Sequence, residues 1–284
     1  MKLPRLLRIH RRLRNLRCPE VWELNTIPEF IATDGYTQHD VETVIEKLRS
    51  AAGRCDLAVC VSQSIADYAT DRLGIGRTIV VPNGSDPAMF SPDVAPVKRM
   101  RPFKEKLNAC WIGSAGLGWH DFELIGRLGE RLIANARRDI AIHILGGGLR
   151  DIDQLPPNIH YHGYVSYERL PGWLAAMDVG LVTYRPGPGM YSSPLKLFDY
   201  MAAGLAIVST EQPQVRSILG EIDAEECILP HDDLDGLYER LTHFADNRAQ
   251  AREHGARARG LLCEKYRWRD NVDAILGAIG EVRR

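Results

Sequence analysis

The sequence predicts an α/β protein: a complete doubly wound parallel sheet, with part of a second sheet of the same kind in front of it. Two observations carry this expectation. Short apolar runs alternate with longer amphipathic stretches along the chain, and six such runs in the rear section are mostly separated by a helical stretch, the pattern of parallel strands with crossover helices. The composition agrees, with 45% apolar and 26% charged residues over 284 positions, ordinary for a globular chain with a substantial core.

Residues 1–17 are basic without an acidic interruption, and Leu3, Leu6, Ile9, Leu13 and Leu16 recur at helical spacing. Such a segment either lies on an anionic membrane surface or packs its Leu stripe on a sheet; both readings stand. It lacks the apolar core of a signal peptide. Strand candidates follow at 21–24, 57–61 and 78–81, with helical patterns at 38–52 and 62–73. Pro82-Asn83-Gly84 is a turn signal, and Pro87, Pro92, Pro96 and the basic cluster 98–106 read as an interdomain linker. A doubly wound domain has five or six strands. Residues 1–88 therefore read as the second half of a domain whose first half is absent.

The rear strand candidates are 109–112, 140–145, 159–162, 179–183, 206–209 and 227–229. Sheets of this kind bind ligands outside the carboxyl ends of their strands, so functional residues are expected just after these runs.

Other classes of function are excluded or disfavoured. The net charge of −1 gives no basic excess for nucleic acid. No run of eighteen apolar residues is present. The six cysteines form no Cys-x-x-Cys pair and no zinc-spaced cluster; most of them sit in apolar runs and read as buried, reduced thiols, which fits a cytoplasmic protein best.

The most informative stretch is 187–210, GPGMYSSPLKLFDYMAAGLAIVST. Ser193 suits a helix N-cap and Pro194 the first helical position, with the helix closing on Gly204. Free N–H groups and the dipole make such an N-terminus an anion site, and Lys196 adds a charge in its first turn. Asp199, three residues on, either accepts hydrogen bonds from ribose hydroxyls or pairs with Lys196 along the helix; spacing does not separate the two. In WIGSAGLGWHD (111–121) a strand leads through small residues into a helix, as in phosphate-cradling loops. His120 at the helix start is either a phosphate donor or a plain surface residue. HILGGG (143–148) allows close backbone approach or simply a turn, and His162-Gly163-Tyr164-Val165 is a strand end whose backbone could read a base.

Taken in order, VSQSIADYATDRLG, VVPNGSDPAMFSP, WIGSAGLGWHD, HILGGG, IHYHGYVSYERLPGWLAAMDVGLVTY, SPLKLFDYMAAGLAIVST and a late YRW resemble family 4 glycosyltransferases of the GT-B fold, which transfer sugars with retention. The resemblance spans roughly residues 20–284. It implies a partial acceptor-side domain at 1–88, a donor-binding domain at 89–264 and a last helix, 265–284, crossing back to the front.

The resemblance also implies roles. The second of two acids separated by seven other residues falls on Asp199, which would hold the ribose. The first, which contacts the donor sugar, falls on Tyr191, a departure from the pattern. The family's Arg and Lys on the diphosphate fall on Ser114 and His120. Gly113, Ser114, Trp119, Tyr191, Ser192, Ser193, Pro194 and Leu195 would line the donor, Val165 would meet the base, and Asn25 takes the place of a frequent acceptor-side His. No metal and no cofactor are implied; the donor is a nucleotide diphosphate sugar and the acceptor is unknown. Relatives often build cell-surface polysaccharide or glycolipid at the inner membrane face, and residues 1–17 are compatible with peripheral contact there.

The expected reaction is transfer of a sugar to an acceptor hydroxyl, with Lys196, Asp199 and His120 as the catalytic group. The rival reading is a truncated, non-catalytic nucleotide-sugar-binding fragment, favoured by the missing front half, Tyr191 and Asn25. A sugar epimerase shares the sheet but lacks the SPLKLFDYMAAG element.

Overall fold

A computed structural model of the chain describes residues 18–149 and 152–282; the basic segment 1–17 lies outside them. Two parallel sheets organise the molecule. In front, β1 (Val21–Leu24), β2 (Leu57–Cys60) and β3 (Thr78–Val80) lie in that order, connected through α1 (Gln38–Ala52) and α2 (Gln63–Asp71). Helix α1 opens with a capping box: Thr37 accepts from the Asp40 amide and the Asp40 carboxylate accepts from the Thr37 amide at 2.8 Å. Helix α2 is capped by Ser62.

The rear sheet contains β4 (Leu107–Ile112), β5 (Ile140–Leu145), β6 (Ile159–Tyr161), β7 (Val179–Val182), β8 (Ala206–Thr210) and β9 (Ile228–Leu229), all parallel, in the order β6-β5-β4-β7-β8-β9. Counted from β4 this is the 3-2-1-4-5-6 order of doubly wound folds. The order reverses between β4 and β7, and the crevice beyond their carboxyl ends is where such sheets bind ligands.

Helices α3 (Phe122–Ala134), α4 (Leu170–Leu174), α5 (Leu195–Ala203), α6 (Pro213–Gly220), α7 (Leu234–Asp246) and α8 (Arg248–Lys265) cover this sheet, followed by α9 (Trp268–Val282). Alternation along the strands sends Leu107, Ala109 and Trp111 of β4, and Ile140, Ile142 and Ile144 of β5, to the face packed by α3 and α7. Cys110 and Leu145 face the opposite side, packed by α4, α5, α6 and α8. Cys60, Cys110 and Cys227 are buried free thiols, whereas Cys55 and Cys263 are half-buried and Cys18 is exposed. Two strand starts differ from the sequence expectation. β4 starts at Leu107, because Asn108, although polar, satisfies its side chain on the carbonyls of Phe103 and Lys106. Cys227 closes a 3-10 turn ahead of β9 rather than opening the strand.

The chain crosses between the sheets twice, and the crossings pair with each other. The Ser85 amide donates to the Tyr266 carbonyl at 3.1 Å and the Trp268 amide to the Ser85 carbonyl at 3.3 Å. Gly84 fits this joint because a Cβ there would stand 2.5 Å from the Tyr266 oxygen. Beyond it, α9 lays Ile275, Ala278, Ile279 and Val282 on Leu57 and Val59 of the front sheet and on Val81 just after β3.

Candidate functional site

The site forms at the reversal point of the rear sheet. After β4 the chain turns at Gly113, whose φ of +158° and surroundings exclude a side chain: a Cβ would lie 2.9 Å from the Trp111 ring, 3.0 Å from His120 and 3.2 Å from the Lys196 Nζ. This glycine leaves room for three groups to meet. The turn is braced by the glycines after β5. A Cβ on Gly146 would fall 1.7 Å from the Gly113 oxygen, and Gly148, at φ +83°, sits against Ser114 and Gly116. Gly147 faces open space. In the HILGGG run, then, Gly146 and Gly148 serve close backbone approach.

The His120 Nδ1 lies 2.9 Å from the Ser114 carbonyl. A carbonyl only accepts, so Nδ1 carries the proton. Burial and the neighbouring Lys196 hold the ring's pKa down at about 4, leaving it neutral, with Nε2 as an acceptor. The Lys196 Nζ, 3.2 Å away, donates to it. His120 thus acts here as an acceptor for Lys196, and it is buried rather than a plain surface residue. The helix starts later, at Phe122, capped by Asp121.

Lys196 is buried. Its Nζ lies 4.7 Å from the centre of the Trp111 ring and 5.3 Å from that of Tyr184, where aromatic faces attract a cation. Trp111 is fixed by its indole N–H on Thr183 at 3.1 Å. The intrahelical pair with Asp199 does not form, since Asp199 accepts instead from Ser85 at 2.6 Å and from Tyr167 at 3.5 Å. Burial alone pulls the Lys196 pKa down to about 7, and burial raises that of Asp199 to about 6. A buried ammonium without a carboxylate partner is costly, and an anion brought to it would relieve that cost.

The start of α5 also departs from expectation. Pro194, not Ser193, is the N-cap, no side chain caps the helix, and the first helical residue is Leu195. Ser193 is diverted: its Oγ accepts from the Asn83 amide at 3.0 Å and its carbonyl from the Asn83 side chain at 2.7 Å, tying the helix start to the crossing segment. The uncapped N–H groups of the first turn and the dipole point positive at the end where Lys196 stands. At the far end Gly204 is left-handed, φ +74°.

Other predicted positions take their places around this centre. Trp119 packs edge-on against Phe30 of the front section, ring centres 5.1 Å apart. Tyr191 packs against Tyr68 at 6.0 Å, and its carbonyl accepts from Ser62. Ser192 hydrogen-bonds within its own turn, to Gly189 at 2.7 Å. Val165 packs partly buried against the core beyond β6, while the neighbouring Tyr164 is 82% exposed. Asn25 is exposed beyond β1 and bonded to Glu23 at 3.2 Å, and nothing in its contacts links it to Lys196. Trp111, Tyr184, Ser85 and Tyr167 complete the site but were not singled out from the sequence. Two sit in or beside strands and read as core; the only signal for Ser85 was the turn before it. Among the described residues no group of three or more His, Cys, Asp or Glu could hold a metal ion.

The sequence model of the glycosyl transferase-like family matches residues 127–277, more than half of the chain. The chain belongs to that family. Its fold is GT-B. HepE of Anabaena, solved with UDP-glucose, superposes with a TM-score of 0.73 at 12% identity over 93% of this chain and 72% of that one. TarM of S. aureus, solved with UDP, α-GlcNAc-glycerol and Fondaparinux, gives 0.65 at 14% over 87% and 47%. Sucrose-phosphate synthase of Thermosynechococcus elongatus gives 0.62 at 15% over 92% and 67%. At these identities the likeness is one of fold. No curated protein matches the chain in sequence.

Proposed function

We propose that this glycosyltransferase-family protein transfers a glycosyl group from a nucleoside diphosphate sugar to an acceptor hydroxyl, with retention of configuration. The observation that carries the reading is Lys196: a buried amine with no carboxylate partner, at the uncapped start of α5 and in the crevice where the sheet order reverses. A diphosphate fits this position. Its charge would hold Lys196 protonated, the α5 amides would add donors, and both would stabilise the charge that develops on the leaving diphosphate. His120 orients the amine. Asp199, fixed by Ser85 and Tyr167, would take the ribose hydroxyls, and Val165 would meet the base. That HepE was solved with UDP-glucose and TarM with UDP supports the donor class.

In this reading the diphosphate charge is met by Lys196 and the start of α5, without a metal ion. The test is donor turnover. The full chain is incubated with UDP-, GDP- and ADP-sugars, with and without simple glycoside acceptors, and release of the nucleoside diphosphate and the product anomer are followed by NMR. Release with retained configuration supports the proposal. Tight binding without release or transfer would leave a nucleotide-sugar-binding protein in its place.

A further inference from the structure

Ser85 is held on all three of its polar groups. Its amide donates to the Tyr266 carbonyl at 3.1 Å and its carbonyl accepts from the Trp268 amide at 3.3 Å, so the two crossings between the sheets meet on its backbone. Its hydroxyl leaves the joint and donates to the Asp199 Oδ1 at 2.6 Å, the short length of a hydroxyl on a charged oxygen. Ser85 is fully buried, and the preceding Gly84 is pressed against Tyr266 and Trp268. The serine therefore cannot shift without opening the joint.

The joint engages only half of the carboxylate. Both hydrogen bonds to Asp199, from Ser85 and from Tyr167 at 3.5 Å, fall on Oδ1. Oδ2 takes none among the described residues and, unlike the buried unpartnered atoms of the chain, keeps contact with solvent. Asp199 stands three residues beyond Lys196 on α5, so the two can serve one ligand along one helix face. Burial raises the Asp199 pKa to about 6, and the two hydroxyls work against that rise. They hold the carboxyl nearer its charged form, which is the stronger acceptor.

A carboxylate is planar, so fixing Oδ1 also sets the direction of Oδ2. On this basis, and resting on the reading that Asp199 takes the ribose, we infer that Ser85 is a positioning residue for the donor's ribose. Through Oδ1 it aims the open Oδ2 at the ribose hydroxyls. The preference for ribonucleoside over dideoxyribonucleoside diphosphates is then set at the joint between the two sections. Ser85 itself touches no ligand. The diphosphate depends on the start of α5 and the ribose on the joint, which makes the two contacts separable.

Calorimetric titration separates them. UDP, GDP and ADP are each titrated beside their 2′,3′-dideoxy counterparts into the wild-type chain, Ser85→Ala, Ser85→Cys and Asp199→Asn. The wild type is expected to bind at least one ribonucleoside form roughly tenfold or more tightly than its dideoxy form, the worth of a hydrogen bond to a charged group. Ser85→Ala should cut that preference to about threefold or less while dideoxy affinity stays within about twofold. Ser85→Cys offers only a weak donor; it should lose most of the preference, and it serves as the test if the Ala variant fails to fold. A preference lost in Asp199→Asn but intact in a folded Ser85 variant overturns the inference alone. So does an equal loss of both forms, which is what a merely structural role for Ser85 would give. A wild type without the preference, or one that keeps it in Asp199→Asn, counts against the ribose reading and removes the inference with it. Absence of all diphosphate binding counts against the donor reading itself.

Discussion

At the scale of single residues, Lys196 is defined by what surrounds it. Its helix-start position and its chemistry were legible, and so was Asp199. Whether the two paired was not, because that depended on Ser85, a residue 114 positions away. Nor was the role of His120, which follows from a backbone carbonyl six residues back. If His120 orients Lys196, His120→Leu removes the amine's acceptor without adding a charge. Nucleoside diphosphate affinity should fall by roughly tenfold, the worth of one hydrogen bond to a charged group, and stability by about 1–3 kcal/mol, because the Ser114 carbonyl also loses its donor; calorimetry and chemical denaturation check both. The pH dependence has a definite sign. Lys196 in the free protein loses its proton near pH 7, so diphosphate affinity should weaken as pH rises above 7, by up to tenfold per unit, measured in buffers of constant ionic strength. Affinity that is flat from pH 7 to 9 would show that the charge on Lys196 does not hold the ligand.

At the scale of elements, the strands were legible because strands buried on both faces read as continuous apolar runs. β5 is buried throughout. What a run cannot reveal is which element packs on it. Gly180 in β7 lies under Tyr200 of α5, with the ring 2.2 Å from where a Cβ would be. Gly180→Ala should therefore cost about 1–3 kcal/mol or more, since overpacking a filled core forces shifts. The glycines after β5 form a graded test. Gly146→Ala and Gly148→Ala collide with the Gly113 turn, and the second also strains a left-handed φ, whereas Gly147→Ala meets nothing. Chemical denaturation of the three variants should find the first two destabilised and less able to bind diphosphate, and the third close to wild type. The misplaced start of α5 belongs to this scale too: Ser193 is an N-cap by type, but Asn83 claims its hydroxyl.

At the scale of the whole molecule, the front and rear sections are joined by contacts between residues far apart in sequence, which one sequence does not show. Ser62 donates to the Tyr191 carbonyl, Gln214 to the Val61 carbonyl, and Asn83 to the Ser193 carbonyl. The molecule also buries neutral imidazoles. Burial holds the pKa of His143 at about 3 and those of His120, His162 and His254 at about 4. These values lie below that of an unfolded histidine, so the unfolded chain takes up protons first as pH falls. Stability from this source is intact above about pH 6.5 and is lost progressively toward pH 4, by about 1.4 kcal/mol per unit for each such group. Melting temperatures between pH 7.5 and 4.5 should fall steeply below 6.5. In His143→Asn and His254→Gln variants that fold, the fall should be shallower.

The central claim is that a diphosphate is held by Lys196 at the start of α5. Its most direct measurement is calorimetric titration of UDP, GDP and ADP into the wild-type chain and into Lys196→Met, which keeps all but the last atom of the side chain's length and removes the charge. The account predicts binding of at least one nucleoside diphosphate by the wild type, and a loss of a hundredfold or so in the folded variant, the upper range for a hydrogen bond to a charged group. Equal affinity in the two proteins would contradict it.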